Sequence, residues 1–276
     1  VMLEHPLLIA GFCVIVLIML LLDLGIFNKK GHVITNKEAI VWSVIWISLS
    51  MIFSGVIYYA FKDEPGPNGV GNMGLEKFSQ FQSAYWIEKS LSVDNLFVFI
   101  LVFSFFKVPK ENQHKILFWG IIGALVLRAF FIFAGIGLIK LTYLPDFSLF
   151  GIDFKKVNVV LTVFGLFLVY AGIKSWFAHD DGDEDKDFSK NAGARFIYKM
   201  FKVTKKYDGD KFFTVENGIK MATPMLVVIG VIEFTDLLFA VDSIPAIFAI
   251  APDDPFILYT SNIFAILGLR SLYFIL

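Results

Sequence analysis

Apolar residues along this chain gather into seven runs, roughly 6–27, 40–61, 82–106, 115–140, 156–178, 221–250 and 256–276. Crossing the hydrocarbon core of a bilayer takes about 20 consecutive, mostly apolar residues in a helix. The pattern therefore predicts an all-α fold, a polytopic membrane helix bundle. No basic stretch precedes the first run and Lys29 and Lys30 follow it, so it reads as a retained helix rather than a secretory leader. The last run is still apolar at SLYFIL, with no polar flank after it, so the chain reads as a truncated one. Five stretches follow from the pattern: N-terminal membrane helices (1–61), an external loop (62–81), a first three-helix repeat (82–178), a cytoplasmic loop with an amphipathic helix (179–220), and a second, shorter repeat (221–276).

Two acidic phrases interrupt these apolar runs: EKSLSVD, from Glu88 to Asp94, and DLLFAVD, from Asp236 to Asp242. An ionised carboxylate at the bilayer centre costs roughly 2.5–3.5 kcal/mol on insertion scales, so it persists where it lines a protein interior or a wet path. Four such acids predict a route for cations. Overlaying Glu88 on Asp236 sets Asp94 on Asp242, and ALVLRAFF (Ala124 to Phe131) then lies over ILGLRSLY (Ile266 to Tyr273), with Arg128 on Arg270. Three crossings separate the two motif runs, which makes the repeat an inverted one. In such architectures the ion site lies near the midplane between repeats, on helices interrupted there.

At about 100° per residue, a six-residue spacing leaves the two acids of one motif about 120° apart on a regular helix and roughly 9 Å apart along it. Either each motif helix is broken between its acids, or the acids act at successive stations. Pro245 favours a break in the second motif, since it would free the carbonyl of Val241 beside Asp242. In the first motif Ser92 and Asn95 share the face of Glu88.

Composition narrows the class further. Residues are 57% hydrophobic and the net charge is −1, which gives nucleic acid nothing to bind. The single cysteine, Cys13, has no partner in the chain for a disulfide. The four histidines lie in loops or at helix ends, and no thiolate pair exists, so soft-metal chemistry is disfavoured. Carboxylate, amide and carbonyl oxygens suit magnesium, calcium or manganese, among which the ligand types do not choose. No nucleophile and base pair, phosphate loop or cofactor fingerprint is present, so neither an enzyme nor a resident cofactor is expected.

Lysines concentrate at 28–39, 107–115 and 179–220, which predicts an outward N-terminus and a cytoplasmic 179–220 loop. The loop opens on an acidic run, 180–187, that lacks the ligand spacing of a calcium loop and reads as a solvated linker. Its next stretch, ARFIYKMFKVTKK, suits either an interfacial helix at anionic lipid or a helix packed on the membrane domain.

The phrases WIEKSLSVDNLFVF (Trp86 to Phe99), IEFTDLLFAVDSIPAIFAI (Ile232 to Ile250) and YTSNIFAILGLRSLYF (Tyr259 to Phe274), with DLGIF (Asp23 to Phe27) and TPM (Thr223 to Met225), resemble the TerC family of integral membrane proteins. That resemblance implies a LysE-type exporter superfamily fold in the cell's inner (plasma) membrane. It also implies manganese efflux with Mn(2+) as the transported substrate, and a link to tellurium resistance. Carried over position by position, it implies a metal site of Glu88, Asp94, Asn95, Glu233, Asp236 and Asp242, to which the residues themselves add Arg128 and Arg270 as interior counter-ions. The competing expectations are a scaffold for membrane-protein assembly that recruits protein partners through 179–220, and a transporter of calcium or another cationic cargo. Asp94 and Asp242 are alternatively structural acids paired with Arg128 and Arg270.

Overall fold

The computed structural model describes residues 6–27, 35–66, 69–149, 152–154, 156–177 and 187–275. Within them the chain forms α1 (Pro6–Phe27), α2 (Asn36–Phe61), α3 (Met73–Phe105), α4 (Lys110–Leu141), α5 (Val159–Phe177), α6 (Ala192–Met200), α7 (Pro224–Phe248), α8 (Pro255–Leu267) and α9 (Leu269–Tyr273). Two antiparallel hairpins complete it, β1 (Phe147–Leu149) with β2 (Ile152–Phe154) and β3 (Phe213–Glu216) with β4 (Ile219–Ala222). It is an all-α membrane helix bundle, as the apolar runs predict.

Local sequence sets the helix starts. Thr35 and Glu38 close a capping box on α2, Asn72 accepts the Gly74 and Leu75 amides of α3, and Pro224 and Pro255 occupy first-turn positions of α7 and α8. A backbone N–H is missing from proline and is unneeded there. The chain turns back into α3 through Gly69 and Gly71, both at positive φ.

Among the described residues four spans are long and apolar enough to cross a membrane: Asn36–Phe61, Lys110–Leu141, Pro224–Phe248 and Pro255–Tyr273, the last combining α8 and α9. Helix α3 is longer still, at 33 residues, but it carries Glu76, Lys77, Glu88, Lys89 and Asp94. It also starts at Met73, inside the stretch expected to be the external loop 62–81, because the charge of Lys77 is matched inside the protein by Asp254.

Helix α8 is the centre of the bundle. Every residue from Thr260 to Leu267 is buried, against α2, α3 and α4. Phe12 of α1, Phe53 of α2, Phe81 of α3 and Phe264 of α8 pack with ring centroids 5.1–6.2 Å apart, tying the first helices to this centre. The outward faces of α4 and α5 stay apolar, with Val126, Phe130, Val163 and Leu166 exposed, as a lipid-facing surface requires.

One end of the bundle, the turn end, carries 62–66, 69–72 and Asp254. The other, the strap end, is crossed by residues 201–223, a strap that includes β3 and β4. The strap is pinned by Tyr207 Oη donating to the Phe106 carbonyl at 2.7 Å, by Asn112 Nδ2 donating to the Gly209 carbonyl at 2.7 Å, and by Lys115 with Asp210 at 3.0 Å. Helix α6 lies against α7 through Ala194 and Ile197. Its Phe196, Tyr198 and Met200 remain exposed, beside Arg195 and Lys199. Of the acidic run 180–187, all but Asp187 lies outside the described residues; Asp187 caps a short turn at Phe188–Lys190.

The expected breaks in the motif helices are not where the chain interrupts itself. Helix α3 runs unbroken through Glu88 and Asp94, and α7 runs unbroken through Pro245, whose neighbours Ile244, Ile247 and Phe248 are buried and hold it in line. The interruption falls at Gly268, between α8 and α9.

Candidate cation site

Helices α3 and α7 run in opposite directions, α3 entering from the turn end and α7 from the strap end. Near mid-length each presents its first motif acid to the same side chain, Arg128 of α4. Arg128 is 1% exposed. Its Nη2 and Nε donate to Asp236 Oδ1 and Oδ2 at 3.0 and 3.4 Å, while its Nη1 donates to Glu88 Oε1 and, at 3.0 Å, to Asn262 Oδ1 of α8. Four helices thus converge on one guanidinium, whose planar fork of N–H groups suits such multiple donation.

The Glu88 carboxylate also accepts from Ser92 at 3.2 Å, one helical turn on. Its other oxygen, Oε2, is buried with no hydrogen-bond partner among the described residues, and so are both oxygens of Glu233 and Nδ2 of Asn262. Unsatisfied buried oxygens of this kind are rare and call for an occupant. The Glu233 carboxylate rests directly on Gly123 of α4, where any side chain would collide with it.

Between the acid pair and the strap end lies a cavity of about 20 Å³ open to water centres, enough for one or two waters or a bare cation. Asp236 and Arg270 supply its polar lining, and Leu96, Ile121, Ile266 and Leu269 supply apolar walls. The Arg270 guanidinium sits 6.0 Å from the centre of the Phe118 ring.

The residues singled out in the sequence therefore divide. Glu88, Asp236 and Arg128 meet, Asn95 is buried on the Glu88 face of α3, Glu233 is half-buried against α4, and Arg270 faces the cavity. Asp94 and Asp242 are exposed on the outer faces of α3 and α7. With both helices unbroken, the six-residue spacing turns the second acid of each motif away from the first. Arg128 accordingly pairs with Glu88 and Asp236, not with Asp94. Among the described residues no group of three or more His, Cys, Asp or Glu side chains converges to hold a metal ion.

Three participants escaped the sequence reading. Lys89 is buried beside Glu88 and donates to the Ala265 carbonyl at 3.3 Å, at the end of α8 where the helix leaves carbonyls unpaired. Lys77 and Asp254 form a buried pair at the turn end, 2.5 Å apart. A basic residue inside an apolar run was the available sign for Lys89, whereas Lys77 lay in the stretch read as a loop.

The fold and this centre define a polytopic helical membrane protein with opposed helices meeting on buried charge. Comparison with known proteins gives the family: residues 73–276 match the model of the Integral membrane protein TerC family, and the chain belongs to it. It is similar to the uncharacterized membrane protein STKORF319 of Myxococcus xanthus, 44% identical over 267 residues, which cover 97% of this chain and 74% of that protein. It is also similar to a protein of Escherichia coli strain K12 bearing the provisional name membrane-bound redox modulator Alx, 40% identical over 274 residues, covering 98% of this chain and 78% of that one. A membrane protein of Rickettsia bellii is 37% identical over 265 residues, covering 96% of this chain and 78% of that protein. No solved structure matches the chain.

Proposed function

We propose that this TerC family protein is a secondary transporter that exports a divalent cation, Mn(2+) in particular, from the cytoplasm across the inner membrane. The observation that carries the reading is the meeting of Glu88 and Asp236, matched acids of an inverted repeat, on one buried guanidinium at mid-depth. Two carboxylates against one guanidinium leave a net charge of −1, whereas a doubly charged cation in the place of the guanidinium would neutralise the pair. The ligands on offer are hard oxygens, including the orphaned Glu88 Oε2 and the two Glu233 oxygens nearby. In this arrangement Arg128 holds the place of the cargo, which avoids leaving two buried acids uncompensated when the site is empty.

The lysine-rich strap end is the cytoplasmic side on this reading, and the N-terminus faces outward. Cargo enters the cavity beside Asp236, the acid pair exchanges guanidinium for cation, and rocking of one repeat against the other exposes it at the turn end. Selection of manganese over magnesium or calcium follows from the family resemblance rather than from ligand chemistry. The name of the Escherichia coli relative speaks of redox modulation; with only Cys13 in this chain, any redox effect would act through the cargo.

The test is total cellular manganese, by elemental analysis, in manganese-challenged cells lacking their own exporter. Glu88→Gln and Asp236→Asn forms are compared with the parent at matched membrane levels. Lower manganese only with the parent supports export through this site. Equal manganese in all three sinks the reading and favours the scaffold or another cargo.

A further inference from the structure

The inverted repeats each carry one arginine at the matched position, and the structure uses them unequally. Arg128 bridges Glu88 and Asp236. Arg270 lies eight residues beyond Asn262 toward the strap end, buried, across the cavity from Asp236. Under the pseudo-two-fold of an inverted repeat Glu88 and Asp236 exchange places, so the acid pair maps onto itself, whereas Arg128 maps onto Arg270. Such a molecule has a second arrangement in which the repeats swap conformations and access changes side.

We infer that Arg128 and Arg270 take turns as counter-ion of the Glu88–Asp236 pair, Arg128 in the state closed at the turn end and Arg270 in the state open there, with the pair free for cation only between the two. This rests on the acid pair as the cargo site. Three further features fit it. The buried Lys77–Asp254 pair closes the turn end while Arg128 is engaged. Gly268 separates Arg270 from α8, giving that arginine a five-residue helix of its own, whereas its counterpart Val126 lies within unbroken α4. The counterpart of Asn262 is Gly120, so Arg270 would lack the amide acceptor that Arg128 enjoys, and the Arg128 state is the ground state.

The reporter is Thr260→Cys in a Cys13→Ser background, in full-chain protein held in lipid nanodiscs. Thr260 is fully buried in the turn-end half of α8 and is wetted only when that end opens. Labelling by a charged maleimide is compared in the parent, Arg270→Gln and Arg128→Gln. Arg270→Gln should lower the labelling rate by on the order of fivefold or more, because the open state loses its counter-ion; Arg128→Gln should raise it by a similar factor. An unchanged rate in Arg270→Gln overturns the exchange. That variant leaves Arg128, Glu88, Asp236 and Asn262 themselves unchanged, so it decides alone if Arg128→Gln does not fold. Radioactive manganese binding to the purified parent and to Glu88→Gln separates the two layers. Opposite labelling shifts without Glu88-dependent binding leave the exchange standing and remove the cargo. Glu88-dependent binding without any shift does the reverse.

Discussion

The Lys77 ammonium lies 2.5 Å from the Asp254 carboxylate, joining the first turns of α3 and α8 across 177 residues of chain. Both side chains are about nine-tenths buried, and Asp254 also accepts the Ile257 amide as cap of α8. Removing one partner of a buried pair leaves the other charge uncompensated, at a cost of about 3–5 kcal/mol. Lys77→Met should therefore lower the unfolding temperature sharply, and adding Asp254→Asn, which keeps a capping oxygen, should recover most of the loss. Thermal unfolding of detergent-purified single and double variants checks this. Equal losses in both would show that the pair does not couple the two helices.

The Lys77 pair also shows where sequence reading stops. Apolar run length located the membrane helices because burial in lipid demands it, and the repeat of Glu88 and Arg128 in Asp236 and Arg270 marked the residues of the centre. Yet Lys77 pushed the expected start of α3 to residue 82, since hydropathy scores a lysine as exposed whether or not an aspartate awaits it. The facing of Asp94 and Asp242 was equally hidden. It depends on whether the helix stays regular past Ser92 or Pro245, which tertiary packing decides and local sequence does not. Gly268 gave no clear warning either, because an isolated glycine within a helical pattern is tolerated at a cost of about 1 kcal/mol and does not always end the helix.

Helix α6 meets α7 at a contact between two glycines. A Cβ on Gly193 would strike the Gly230 carbonyl, a backbone atom that cannot rotate away. Gly193→Ala should undock α6, and Gly193→Val should do so more completely, while the α3, α4 and α8 centre stays intact. Limited proteolysis in native membranes should then cut 187–223 faster in both variants. Parent-like cutting in Gly193→Val would mean that α6 is held by Ala194 and Ile197 alone.

Burial pushes the Tyr207 phenol up to about 12, and in its neutral form it donates to the Phe106 carbonyl at the strap end. A phenol whose folded pKa exceeds its unfolded value, about 10, stabilises the strap fully below pH 10. The contribution is lost as pH rises from about 10 to about 12. Tyr207→Phe should cost about 1 kcal/mol in strap docking at neutral pH and remove this alkaline transition. Tyrosinate absorbance followed alongside proteolysis of the strap tests the point. Identical alkaline release in Tyr207→Phe would assign the transition to another group.

Asp94 and Asp242 stand apart from the charges that hold the bundle together. They are matched by the repeat, both exposed, and separated from Glu88 and Asp236 by about 120° of unbroken helix. A carboxylate facing lipid costs roughly 2.5–3.5 kcal/mol, a burden for the fold rather than a support. Their side chains face away from the central pair, so they lie off the path that leads through the cavity beside Asp236. Asp94→Asn and Asp242→Asn should then leave thermal stability within about 0.5 kcal/mol of the parent, or raise it. Manganese export should stay within about twofold of the parent, since no interaction along the path is lost. Unfolding temperature and cellular manganese measured on the same membranes give both answers. Loss of stability with export intact would make the two aspartates structural, and a large loss of export at parent stability would bring the path to the outer faces of α3 and α7.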